Sequence, residues 1–331
     1  MARAFERVRA GLTERAVMTA RRIGWLVPRI YFDLSRDYRD TVLLVGSGRS
    51  GTSWIPEVLN FDRRYRYLYE PFHSMHVPLA RHWLPRQYKR PDDDDAGHLA
   101  LARAIFTGRL RNGYADSQNH CLVAHKRLVK DTRLQLALAW VARHFPGMPI
   151  IYLMRHPCAV VNSRVQLQRN SDIAKHLLSQ PFLMADHLEP FRKEMERAKD
   201  DFEAQLFIWC VENYVPLKQL RSTEVHLLFY ERICTDPRGE LARLSAYLQQ
   251  PFDELALAAL DKPSVQARKY HGGGTSAIVT GASLVDAWRQ YVPADRVKRA
   301  VEILSMFGLD AIYAEDSMPH VEAADAMLAG P

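Results

Sequence analysis

Three glycines, one arginine and four hydroxyls crowd into the stretch Gly46-Ser47-Gly48-Arg49-Ser50-Gly51-Thr52-Ser53-Trp54. Glycines at this density let the backbone turn tightly enough for successive N–H groups to point into one concavity. Arg49 adds a forked, permanently charged donor, and Ser50, Thr52 and Ser53 add hydroxyls. That set of donors suits a phosphate or a sulfate. The elements around it agree. Val42-Leu43-Leu44-Val45 reads as a buried strand, and Trp54, Ile55, Val58 and Leu59 fit a helix beginning near Thr52. Such a helix would turn its unpaired amides and positive dipole end toward the same spot.

Two templates share the loop. Gly46, Gly48 and Gly51 fit the dinucleotide pattern G-x-G-x-x-G, and Glu70 follows at a distance suited to a ribose partner. The nucleoside triphosphate pattern G-x-x-x-x-G-K-[ST] also fits, except that Thr52 stands where its lysine belongs. A second motif weighs against both. The strand-like run Ile150-Ile151-Tyr152-Leu153-Met154 ends in Arg155, and Ser163 follows eight residues later, about two helical turns on. Pro157 suits the first turn of the helix between them. Arg155 therefore leaves a strand at its C-terminal end, where open parallel sheets bind ligands.

The pair Gly-Ser-Gly-Arg-Ser-Gly-Thr-Ser-Trp and Arg-His-Pro-x-x-Val-Val-x-Ser-Arg resembles the two nucleotide motifs of sulfotransferases that use 3′-phosphoadenosine 5′-phosphosulfate (PAPS). The resemblance implies a parallel α/β fold, a central sheet flanked by helices like that of P-loop kinases. It implies that the first loop cradles the 5′-phosphosulfate through Arg49, Ser50, Gly51, Thr52 and Ser53, that Trp54 stacks on adenine, and that Arg155 and Ser163 hold the 3′-phosphate. Tyr230-Glu231-Arg232 resembles the Tyr-Glu-Asp element that closes a later strand in the family, with Arg232 in place of Asp. Lys130-Asp131-Thr132-Arg133 resembles the Lys-x-x-Arg element, Tyr69-Glu70-Pro71 the Glu-Pro element of carbohydrate-type members, and Ala287-Trp288-Arg289 the late Trp-Lys/Arg segment. The likeness covers about residues 41–72, 121–165 and 225–310.

Sulfuryl transfer needs fixed donors at the departing phosphate oxygen and a base for the acceptor hydroxyl. Arg49 and Lys130 are the expected donors. Glu70 is the expected base, in a cleft that raises its pKa toward neutrality. His73, His125 and Asp131 are the reserves. No metal is demanded, since Arg and Lys can meet the charge. The carbohydrate-like elements point to a sugar, a glycolipid or another hydroxylated metabolite as acceptor. An NAD-type oxidoreductase, a nucleotide kinase and an inactive nucleotide-binding homologue remain the competing readings.

Composition sets outer bounds. The chain has 331 residues and 47% hydrophobic content, enough for a full core. A net charge of +7 suits anionic ligands but is too diffuse to argue for nucleic acid. No apolar run is long enough to span a membrane, and no signal-type stretch opens the sequence. Cys121, Cys158, Cys210 and Cys234 lack metal-site spacing and read as free thiols of a cytoplasmic protein. We expect a basic N-terminal helical segment over 1–40, one α/β domain over 41–315 and a tail over 316–331. The Arg-rich, partly apolar residues 1–35 could pack on the core or rest on an anionic membrane surface. Asp92 to Asp95 read as an exposed loop, Phe202 to Leu220 as a helix with one buried stripe, and Gly272-Gly273-Gly274-Thr275 as a mobile connection near the site.

Overall fold

Five short segments become strands and pair side by side in parallel. They are β2 (Thr41–Gly46), β3 (Tyr65–Tyr69), β5 (Lys126–Asp131), β6 (Ile150–Met154) and β7 (His226–Phe229). The computed structural model describes residues 31–262 and 283–328. The order across the sheet is β3-β5-β2-β6-β7. Strand β2 is buried along its whole length, because helices cover both faces of the sheet, so no polar alternation is needed. Leu43 and Val45 face a core that includes Trp140, Phe207 and Trp209. Val42 and Leu44 face the other, with Trp54, Ile55, Val58 and Leu244. The α/β fold expected from the resemblance is present.

The chain leaves β2 for the edge strand β3, returns through β5, and then crosses to β6 on the far side of β2. The C-terminal end of β2 is thus the switch point where connections diverge and leave a crevice. Register fixes what surrounds it. Leu44 sits opposite Lys130 on one side and Ile151 on the other, and Gly46 sits opposite Leu153. A methyl group on Gly46 would run into the Leu153 carbonyl, so the residue is small because the next strand leaves no room.

The outer edge of β3 is covered rather than left open to pairing. Tyr69 donates its amide to Ala115 at 2.8 Å. Below it Arg66 binds Asp33 and Asp116, each at 3.0 Å, while Arg127 binds Asp33 at 2.8 Å. All four side chains are essentially buried. Their mutual pairing offsets the desolvation of each charge and ties the short strand β1 (Phe32–Asp33) and the Leu110–Asp116 loop to the sheet.

Three expectations change here. Residues 31–40 are extended, with β1 parallel to β4 (Val123–Ala124) and a single tight turn at Tyr38–Asp40; residues 1–30 lie outside the described residues. The C-terminal stretch does not trail away. Helix Val321–Leu328 buries Ala324 and Leu328 in the main core. Helix Asp201–Gln219 is buried on nearly every side, Glu203, Gln205, Glu212 and Asn213 included. A one-sided stripe fails because this helix lies between others, among them Pro157–Gln166, Ala294–Met306 and Val321–Leu328.

The run Asp92–Asp95 is a capping loop. Asp95 accepts the His98 amide at 2.7 Å at the start of helix Ala96–Phe106, and Asp93 takes Lys89 at 2.9 Å. The four cysteines carry free thiols. No helix among the described residues is long and apolar enough to cross a membrane. Gly272 to Thr275 lie outside the described residues.

Candidate functional site

After Gly46 the backbone turns through Ser47 to Trp54. Arg49 and Gly51 both hold positive φ, 84° and 95°. For an arginine that conformation is strained, which is typical of ligand cradles. Gly51 has a second constraint, since a Cβ there would meet the Tyr230 ring at 2.8 Å. The helix begins at Ile55 rather than near Thr52 and runs only to Leu59. Pro56 has no N–H to offer the Thr52 carbonyl, so the regular ladder starts later. Anion binding therefore falls to the loop amides rather than to a long helix. Among the described residues no carbonyl or side chain accepts from the amides of Gly51, Thr52 and Ser53. The Ser50 hydroxyl and the Trp54 ring N–H are buried with no protein partner among the described residues. Trp54 packs in the core at 5.6 Å from Tyr230.

The second motif arrives at the same loop. Arg155 leaves β6 and lies over the Tyr230 ring at 3.9 Å, with Nη1 donating to the Arg49 carbonyl at 3.3 Å. Helix Pro157–Gln166 carries Ser163 back, and Arg49 Nε donates to Ser163 Oγ at 2.9 Å. Arg49, Ser163, Arg155 and Tyr230 thus converge from three segments: the loop after β2, the β6 end with its helix, and the end of β7. The His156 imidazole caps the helix and stacks on Trp288 at 4.5 Å, while its amide donates to Glu231 at 2.8 Å. Trp288 and Glu231 support the second motif from beneath.

Glu70 directly follows β3, with φ of 43°. Its carboxylate receives Lys130 Nζ at 2.5 Å, Thr132 Oγ1 at 3.1 Å and Arg133 Nη1 at 2.7 Å. The expected rise in its pKa is not found. Although burial pushes the carboxyl upward, Lys130 and Arg133 outweigh it and hold Glu70 well below the usual carboxylate range. Asp131 behaves oppositely. Burial pushes it up to about 6, while it accepts the amides of Phe72 and Arg133 at 2.9 and 2.8 Å. His73 sits in the turn after Glu70, and burial, with help from Arg133, brings its imidazole down to about 4. His125 precedes β5 and is exposed at the opposite end of that strand from Lys130. It is not part of this site.

Glu212, which the sequence reading left unassigned, organises the loop from behind. It is buried, accepts Ser47 Oγ at 2.6 Å and Arg164 Nη2 at 2.7 Å, and takes Arg86 Nε at 2.8 Å. Arg164 also donates to the Gly48 carbonyl at 3.1 Å. A signal was present, since Glu212 interrupts the apolar run Leu206–Val211 with a charge that burial must pair. Glu212→Ala would leave Arg164 and Arg86 without their carboxylate. We expect a loss of roughly 3–5 kcal/mol in urea unfolding, with a smaller loss for Glu212→Gln. The two arginines overcome burial and lower Glu212 to about 2. Its stabilisation is therefore complete above the ordinary carboxylate value of 4.5 and is lost as pH falls from there toward 2. An alanine variant as stable as the parent, or one with an unchanged acid-unfolding midpoint, would show that the network holds nothing.

The arrangement can bind an anion at the switch point beside a carboxylate tied to two cations. Among the described residues no cluster of His, Cys, Asp and Glu has the form of a metal site. The sequence matches the family model described as "Sulfotransferase family" over residues 41–254. Among solved structures, the sulfotransferase domain from the Synechococcus PCC 7002 olefin synthase is 16% identical, with a TM-score of 0.46 over 86% of this chain and 98% of that one. Mouse sulfotransferase SULT7A1, complexed with PAP, is 14% identical, with a TM-score of 0.43 over 83% and 85%. Sulfotransferase STF9 from Mycobacterium avium is 13% identical, with a TM-score of 0.44 over 86% and 79%. No curated protein matches the sequence.

Proposed function

This chain belongs to the sulfotransferase family, and we propose that it moves the sulfuryl group of PAPS onto a hydroxyl of a carbohydrate, glycolipid or other hydroxylated metabolite. One observation carries the nucleotide half of the reading: Arg49 of the first motif donates to Ser163 of the second, beside Arg155. The two motifs form one anion cradle. In it the loop amides and Arg49 take the 5′-phosphosulfate, and Arg155 and Ser163 take the 3′-phosphate. Tyr230 holds Arg155 by its ring face, and the Trp54 edge lies beneath the adenine side.

In the reaction the acceptor oxygen attacks sulfur in line, and the bond from sulfur to the bridging oxygen breaks. Adenosine 3′,5′-bisphosphate (PAP) leaves with that electron pair, and the hydroxyl proton passes to Glu70. Lys130 and Arg49 supply the positive charge that the departing oxygen needs. The low pKa of Glu70 follows from Lys130 and Arg133 beside it. A bound phosphosulfate shares Lys130, so the carboxylate regains basicity when the donor is in place. An NAD site would leave Arg155 and Ser163, which meet at the loop, without a role. A kinase would need a phosphate-binding lysine at Thr52.

Thermal shift separates these readings. PAP at a hundred-fold excess over its Kd should stabilise the protein by about 2.7 kcal/mol, while NAD and ATP with Mg²⁺ should add little. Stabilisation by NAD or by Mg-ATP instead of PAP would overturn the assignment.

A further inference from the structure

Four of the ten large hydrophobic side chains exposed among the described residues sit on one two-stranded ribbon. Phe32 and Leu34 come from β1 and the residue after it, Leu122 and Val123 from β4 and the residue before it, and each is more than half exposed. Register explains the cluster. Phe32 stands opposite Val123 and Asp33 opposite Ala124, so the second pair turns inward while the first faces out. The Phe32 amide donates to the Leu122 carbonyl at 2.7 Å and the Leu34 amide to the Ala124 carbonyl at 2.9 Å, which holds the patch in place. Single exposed apolar residues need no explanation, but a contiguous group marks a contact surface.

Cations flank the patch. Arg36, half exposed, follows Leu34 by two residues, and exposed Lys126 follows Ala124 by two. Exposed Arg111 lies over the Tyr31 ring at 4.5 Å, next to Phe32. Asp33 and Asp37, which share this stretch of chain, are already paired, the first with Arg66 and Arg127 and the second with Arg39. Residues 1–30, which lead into the ribbon, carry seven arginines against two glutamates, among apolar residues such as Phe5 and Trp25. Patch and leading segment therefore share one sign of charge. That disfavours folding the segment over the ribbon, and it disfavours a symmetric contact that sets one ribbon against another. Four side chains also fall well short of the roughly 20–30 residues a side of a standard protein interface. An apolar centre with cationic flanks fits a partner that is anionic at its surface and apolar beneath it.

We propose that this ribbon, together with the basic residues 1–30 that lead into it, docks the protein on the surface of an anionic phospholipid bilayer. The ribbon joins β5 at Lys126, whereas Lys130 and the anion cradle lie toward the other end of the sheet. The docked protein therefore keeps its nucleotide site in water, and the proposal does not depend on the acceptor.

The test sediments the full chain with vesicles of phosphatidylcholine, alone or with about 30% phosphatidylglycerol. Binding to the anionic vesicles should exceed binding to the neutral ones by about ten-fold or more, and should fall as salt rises. The double variant Phe32→Thr with Leu122→Thr keeps β-propensity but removes apolar surface, and should weaken anionic binding about ten-fold or more. Arg111→Gln with Lys126→Gln should weaken it by about ten-fold. Both pairs should keep the PAP thermal shift, since they lie away from the cradle. Hydrogen exchange on the parent chain gives a readout that needs no variant: anionic vesicles, and not neutral ones, should slow the amides of residues 31–34 and 121–124. Equal binding to the two vesicle types would overturn the proposal. Anionic binding untouched by the threonine pair would do so too, because it would reduce the contact to charge alone. A melting temperature lowered by the threonine pair without vesicles would show that the chain's own residues 1–30 cover the patch. A dimer in light scattering that the threonine pair dissolves would show a second copy there instead. Either result overturns membrane docking.

Discussion

Arg155→Ala is expected to weaken PAP binding about ten- to a hundred-fold or more, while a nucleotide without the 3′-phosphate loses little. A hydrogen bond to a charged group is worth roughly 1.5–3 kcal/mol, and a bidentate one lies at the upper end. The guanidinium lies over the Tyr230 ring at 3.9 Å and bonds to the Arg49 carbonyl, so its position is set before the ligand arrives. Ser163→Ala should act in the same sense but through two routes. It removes a hydroxyl from the cradle and also releases Arg49, whose Nε it accepts at 2.9 Å. Calorimetric titration of parent and variants with both nucleotides gives the comparison directly. Equal losses for the two nucleotides would move Arg155 and Ser163 away from the 3′-phosphate and break the strongest link to the family chemistry.

Glu70→Gln should lower turnover about 10²- to 10⁴-fold with PAP affinity largely kept. The amide retains shape and one acceptor but takes no proton, and its N–H₂ end must face Lys130 or Arg133, both of which donate. Circular dichroism and the PAP shift show whether the fold survives that mismatch. The pH profile discriminates further. A base works when deprotonated, so activity climbs as pH rises through its pKa. In the free enzyme two cations hold Glu70 below the ordinary 4.5, which puts the acid limb of kcat/KM below that value. With PAPS sharing Lys130, the limb of kcat should lie higher. Asp131 is the rival, raised by burial to about 6. Asp131→Asn and His125→Ala should both leave the limb of kcat in place. Wild-type turnover in Glu70→Gln, or a limb that vanishes with Asp131 or His73 instead, would reduce Glu70 to a clamp that positions Lys130 and Arg133.

Much of the cradle was legible because its signals are local. Glycine spacing between Gly46 and Gly51 reports what the backbone can do over a few residues, and the run Ile150–Met154 reports a strand covered on both faces. Arg155 ends strand β6 and Ser163 sits on the helix Pro157–Gln166 directly after it, so the short connection already keeps the two near each other in space. Helix ends were less legible. Pro56 withholds the N–H that a helix begun at Thr52 would need, a loss that apolar periodicity does not register.

What the sequence by itself determined is therefore the chemistry of each piece: an anion-binding loop, an arginine at the end of a strand, an acid before a proline, a buried helix. Tertiary structure decided what those pieces do to one another. The pKa of Glu70 depends on Lys130 and Arg133, sixty or more positions away and brought beside it only because β5 slots next to β3. His125 and Lys130 lie on one strand run, yet the direction of β5 sends the histidine to the far end of the sheet. Glu212 reaches Ser47 across 165 residues. Local propensity depends on neighbouring backbone sterics and is written in the chain, whereas charge coupling falls off with distance in space, and those distances exist only after strand order has been chosen.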